Sequence, residues 1–197
     1  MEIKGHRRLA ACLALVLTCF ASTASAQWKL DGERSRLSFI SVKNAAVGES
    51  HTFKSLVGFV NAGGSAQVGI DLNSVDTAIP IRDERMRELL FETGSYPSAN
   101  ITTEVDPAVM QHARAAPTVT TVSLLVELHG KSATYDATVV VSAGEDGSLH
   151  VATREPIVLD VGDFDLGTGV TALRTVAGLA SISTSVPVSA YLVFKPD

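Results

Sequence analysis

Residues 122–141 read VSLLVELHGKSATYDATVVV. Val122, Leu124, Val126 and Leu128 alternate with Ser123, Glu127 and His129. After a turn at Gly130-Lys131 the alternation resumes with Tyr135, Ala137, Val139 and Val141. A period of two marks a strand with one buried face, and two such runs joined by a short glycine turn make an antiparallel hairpin.

The pattern continues outward from this hairpin. Towards the C-terminus, a turn at Glu145-Asp146-Gly147 leads to Leu149, Val151 and Thr153, and a long alternating run follows at Val186, Val188, Ala190, Leu192 and Phe194. Towards the N-terminus lie Leu37, Phe39 and Ser41, then Phe53 to Val60 and Gln67 to Leu72. Together these runs predict about eight strands with mostly hairpin-length connections. The fold class is therefore all-β, either an antiparallel sandwich or a closed β-barrel. Closure would remove exposed strand edges, but periodicity alone leaves both open.

Two segments break the period. Arg82 to Phe91 (RDERMRELLF) sets Met86, Leu89 and Leu90 at helical spacing, and Val170 to Ala177 does the same with Val170, Leu173 and Val176. Gly178 is a plausible stop for the second helix. Short helices of this kind plug barrel ends or cover sheet faces, or one of them forms a lid over a cavity. Pro107 to Pro117, rich in Ala and Pro, reads as a surface excursion.

Residues 1–26 read as a cleavable export signal. Lys4, Arg7 and Arg8 precede an apolar run from Leu9 to Phe20, and Ala24-Ser25-Ala26 is a small-x-small cleavage site. The run is shorter than the roughly 20 residues of a membrane-spanning helix. The expectation is a periplasmic or secreted protein beginning at Gln27. It is a single domain over 27–197, not membrane-spanning, and without cysteine, because Cys12 and Cys19 leave with the signal. The whole chain carries a net charge of −5, and loss of the signal makes it −7. An acidic chain without a basic block argues against nucleic acid as a partner.

Residues for chemistry are sparse. His51, His112, His129 and His150 show no metal-ligand spacing and read as structural. Asp160, Asp163 and Asp165 read as a capped turn, since a calcium loop needs more oxygen ligands at regular spacing. No phosphate-cradling glycine motif and no Gly-x-Ser-x-Gly elbow occurs. The expectation is a non-enzyme with neither metal nor cofactor. What remains is apolar volume, because a barrel of about eight strands can enclose one small ligand. The inward candidates are Phe39, Val122, Leu124, Val126, Tyr135, Val139, Val188 and Leu192, with Met86 and Leu90 closing one end.

Several stretches carry a resemblance. They are Leu30-Asp31 through Ser35 to Phe39, Val57-Gly58-Phe59, and Val68 to Thr77. The most specific is Ile81-Arg82-Asp83-Glu84-Arg85-Met86, running on to Phe91 and Tyr96-Pro97. Leu128-His129-Gly130 and Asp163 to Gly167 complete the set. In these the chain resembles the YceI-like family over essentially all of Gln27 to Asp197. The resemblance implies a lipocalin-like barrel that binds a long apolar molecule such as a polyisoprenoid, quinone or fatty-acid-like lipid. At about 0.3 kcal/mol per heavy atom, eight isoprene units supply roughly 12 kcal/mol, so such a ligand needs few polar anchors. None is evident in the sequence. The competing expectation is a protein-interaction or stress-response module with a filled core and no lipid ligand, able to form a homodimer.

Overall fold

The computed structural model describes residues 26–197. The expected export signal lies outside them, apart from Ala26. The strands are β1 (Ala26–Leu30), β2 (Arg36–Lys43), β3 (Val47–Phe53), β4 (Leu56–Asn61), β5 (Ser65–Asp71) and β6 (Val75–Asp76). They continue with β7 (Ser98–Glu104), β8 (Thr118–Leu128), β9 (Lys131–Ala143), β10 (Leu149–Thr153), β11 (Ile157–Asp160) and β12 (Ser185–Pro196).

All pairings are antiparallel, and short interruptions join four pairs of strands end to end. β1 and β2 both run along β12, through Leu30↔Phe194 and Phe39↔Val188. β4 and β3 lie side by side with β1 and β2 in the same order, and β5 and β6 with β4 and β3. β10 and β11 share the other side of β12. The result is an up-and-down barrel of eight staves, closed where β12 returns to β1 and β2. Of the two all-β architectures that the alternation allows, the closed barrel is the one that forms.

The inward face of the central hairpin is the one that the alternation predicts. Val122 and Val126 on β8, and Ala137, Val139 and Val141 on β9, are buried. β3 and β7 do not stand out in the sequence because their inward positions are partly polar. Glu49 and His51 face inward on β3, and β7 offers only Ala99 and Ile101 before it turns polar.

The two ends of the barrel differ. At one end, Trp28, Leu149 and Phe194 fill the interior, and the Trp28 indole N–H donates to the Gly147 carbonyl at 3.0 Å. α1 (Pro107–His112) plugs this end with Met110, and Ala113 beyond it is also buried. The surface excursion expected over 107–117 is thus corrected. Asp106 accepts from the Ala108 N–H at 2.8 Å, and Pro107 takes the first helical position, so the segment carries a helix start that its Ala and Pro content obscures.

At the other end two helices cross the opening. The first is a helical turn at Pro80–Arg85 that widens into a π turn at Met86–Leu90, and the second is α2 (Gly167–Val176). They meet at Gly169. A Cβ there would fall 2.5 Å from the Leu89 carbonyl oxygen and 2.8 Å from Leu90 Cα, so only glycine allows this approach. Among the described residues, no helix is long and apolar enough to cross a membrane.

Gly169→Ala forces the two helices apart and is expected to destabilise the protein by about 1–3 kcal/mol in urea unfolding. Gly167→Ala is the control, because a Cβ at Gly167 meets nothing within 4 Å. It is expected to leave stability unchanged or raise it by less than about 1 kcal/mol.

Candidate functional site

The helix-covered end of the barrel is hollow. A cavity of about 390 Å³ lies beneath the two helices. Leu124, Val126 and Leu128 of β8 form one wall, and Val186 and Val188 of β12 form another. Phe53 and Phe164 add aromatic faces, and Met86, Leu90, Val170 and Leu173 hang from the helices as a roof. A concave apolar wall with a few polar groups is the usual form of a site for a small hydrophobic molecule.

Six of the ten inward candidates surround this cavity: Phe39, Met86, Leu90, Leu124, Val126 and Val188. The other four do not. Val122 and Val139 face inward but lie towards the plugged end, packed with Ala113, Ala137 and Val141. Leu192 packs half-buried against the main core, one residue before the buried pair Val193 and Phe194. Tyr135 stacks on Phe164 with ring centroids 6.2 Å apart and donates its hydroxyl to Asp163. Phe164, rather than Tyr135, therefore reaches the cavity. Alternation assigns the face of a strand, but it does not say at what height along the barrel the side chains stop filling the interior.

The expected absence of polar anchors is also corrected. β2 and β3 pair so that Phe39 opposes His51 and Ser41 opposes Glu49. Along the inward face, β2 runs Leu37, Phe39, Ser41, Lys43, while β3 runs back from Phe53 through His51 to Glu49. The wall thus passes from apolar to charged on approaching the mouth. At the charged end, Glu49 accepts from Lys43 at 2.8 Å and from Arg82 Nη1 at 2.9 Å. The Lys43 hydrogen bond, with the charges of Arg82 and Lys43, holds the Glu49 carboxyl below its ordinary range, so it stays ionised.

His51 is 3% exposed. Its Nε2 lies 2.8 Å from Ser41 Oγ, its Nδ1 has no partner, and its ring packs on Phe39 with centroids 5.2 Å apart. Burial first, and the Arg82 charge second, push its pKa below the ordinary 6.5. The ring is neutral at neutral pH. Reading His51 as structural from its lone position overlooked one signal: it alternates with Glu49 and Phe53, which sets all three on one face of a strand.

Residues 28–194 match the YceI-like domain. Among solved structures, a polyisoprenoid binding domain from Saccharophagus degradans, implicated in plant cell wall breakdown, is similar over 88% of this chain and 100% of its own. The identity is 36% and the TM-score 0.84. BcnA of Burkholderia cenocepacia is similar over 83% of this chain and 98% of its own, with 21% identity and a TM-score of 0.66, a likeness of fold. No curated protein matches the chain.

The buried neutral histidine makes a prediction with a definite sign. Its folded pKa lies below the unfolded value, so below about pH 6.5 the unfolded chain binds a proton that the folded chain resists. Stability is expected to fall as the pH drops below that point. His51→Phe removes this contribution, so its unfolding free energy, measured in urea from pH 7 to 5, should fall less than that of the parent protein.

Proposed function

This chain belongs to the YceI-like domain family, and we propose that its barrel is a carrier that holds one long apolar lipid of the isoprenoid kind. The observation that carries the reading is the cavity. It lies at the helix-covered end, and its walls are mostly Leu, Val, Ile and Phe, with Lys43, Glu49, His51 and Arg82 among the polar residues. The Saccharophagus degradans domain, described as polyisoprenoid binding, supports the choice of ligand class.

The physical argument is one of area. Apolar surface withdrawn from water stabilises a complex by about 25 cal/mol per Å², and a linear chain of methyl-branched isoprene units is almost entirely apolar surface. The barrel supplies a preformed wall, so little is lost in ordering the protein. Such a carrier binds and releases its lipid without changing it. The proposed compartment is the periplasm or the exterior of the cell, and the support for that is the export signal legible in residues 1–26. A water-filled compartment is where a lipid that dissolves poorly needs a protein to carry it.

Two measurements test the reading. Organic extracts of natively purified protein are expected to contain a long prenyl or related lipid by mass spectrometry. An empty extract, together with no uptake of prenyl or acyl lipids in vitro, would overturn it. Leu124→Trp places an indole in the cavity from a half-buried position on the wall. It is expected to weaken lipid uptake roughly tenfold or more while the circular dichroism spectrum is retained.

A further inference from the structure

We propose that the barrel opens sideways: the seam between β9 and β11, filled by Phe164 and latched by the Tyr135 hydroxyl, is where an apolar ligand enters and leaves. The inference rests on the lipid-carrier reading above and adds the route by which the cavity is filled.

The seam follows from the backbone ladders. β9 pairs with β8 over residues 131–141. On its other edge it pairs with β10 only from Val139 to Ala143. The last rung on that edge is the Arg154 N–H donating to the Thr138 carbonyl at 2.8 Å. Alternation brings Pro156 to face β9 next, and proline has no N–H to donate. The stave continues as β11, which pairs with β12 alone. Among the described residues, no ladder joins residues 131–137 to residues 157–160.

A 3-10 turn, Val161–Phe164, fills the gap from within. Phe164 is 1% exposed, lines the cavity and stacks on Tyr135, which is itself half-buried. At this place two aromatic rings separate the cavity from water. Side chains hold the turn to β9 and to the bend that precedes it. His129 Nδ1 donates to the Phe164 carbonyl at 3.2 Å, and Lys131 Nζ lies 3.4 Å from the Asp165 carboxylate. The Tyr135 hydroxyl donates to Asp163 and accepts from the Asp160 N–H at 3.3 Å. The Lys131 pair is exposed and contributes little. The Tyr135 bond is made to a carboxylate and belongs to the stronger class. Burial first, and Asp163 second, push the Tyr135 pKa above the ordinary 10, so the hydroxyl keeps the proton that it donates.

The alternative route lies under the helices. Opening there separates Arg82 from Glu49, and it parts the two helices where they touch at Gly169. Opening at the seam breaks no ladder. Release of Tyr135 lets Phe164 swing away from β9 while β11 keeps its pairing with β12. Local opening occurs where the fewest interactions have to be lost.

The test follows uptake and release by stopped-flow fluorescence on delipidated protein, with cis-parinaric acid and anthraniloyl-geranylgeraniol as probes. Tyr135→Phe keeps the stack on Phe164 and removes the hydroxyl. The latch is closed with and without ligand, so on-rate and off-rate are expected to rise together, roughly tenfold, with Kd unchanged. Asp163→Ala should raise both rates by a smaller factor, because the Asp160 N–H still reaches Tyr135. The double variant should be no faster than Tyr135→Phe alone. Arg85→Ala removes the 3.4 Å bond from Arg85 Nη1 to the Val176 carbonyl, which ties the helices together, and should leave both rates unchanged. Amide hydrogen exchange in Tyr135→Phe should quicken over residues 157–164 and stay as it was in β8.

Unchanged rates in Tyr135→Phe and Asp163→Ala overturn the side opening, as does an equal rise in Arg85→Ala. A weaker Kd at constant on-rate also overturns it, because the hydroxyl then acts only in the bound state. Failure of the parent protein to take up either probe overturns the carrier reading itself, and the route with it.

Discussion

β12 is the strand on which the barrel closes, and the position of the cavity depends on it. Residues 185–188 pair with β11 and residues 188–191 with β2, while 191–194 pair with β10 and 194–196 with β1. A sheet that ended here would present unpaired backbone on both sides, which costs free energy when buried and invites association when exposed. One strand thus satisfies four others. It also divides the interior. Its first half contributes Val186 and Val188 to the cavity wall, and its second half contributes Leu192 and Phe194 to the filled end. The height at which the cavity stops follows from where the bulky residues fall along this single strand and along β1 beside it.

The fold was legible in the sequence because closure needs only alternation and short turns, and both show plainly in residues 122–141. The breaks that bend the staves did not show. Lys54-Ser55 interrupts a run that periodicity reads as continuous from Phe53 to Val60, yet the register on either side differs by only two residues. The cavity was partly legible. Residues on the inward face could be named because the face follows from the period, but Val122 and Val139 ended in the filled half. Whether an inward valine meets a ligand or a plug depends on α1, whose own start was hidden in a stretch that looked like a loop. Phe164 is a different kind of omission. It enters from a short 3-10 turn, where no periodicity points inward, and it takes the place expected of Tyr135.

The polar wall was illegible for a physical reason. An inward Glu or His breaks the apolar alternation that identifies a strand, so the residues that make β3 informative also conceal it. In the structure they are neither random nor isolated. Glu49 is ionised between two cations, whereas His51, two residues deeper, is held neutral by burial and by the Arg82 charge. The same strand face therefore carries charge where water reaches it and only hydrogen-bonding capacity where water does not.

That arrangement has an energetic consequence for the empty barrel. An unmatched buried donor costs about 1–3 kcal/mol, and folded domains are stable by only about 5–15 kcal/mol in all. Two such unmatched polar atoms, His51 Nδ1 and Arg82 Nε, are a substantial part of that margin. A filled apolar core at the same positions would avoid the cost, as the plugged end of this same barrel shows with Trp28 and Phe194. One barrel thus contains both solutions. The end that only has to hold the fold together is packed solid, and the end that stays hollow leaves the buried His51 Nδ1 and Arg82 Nε unmatched.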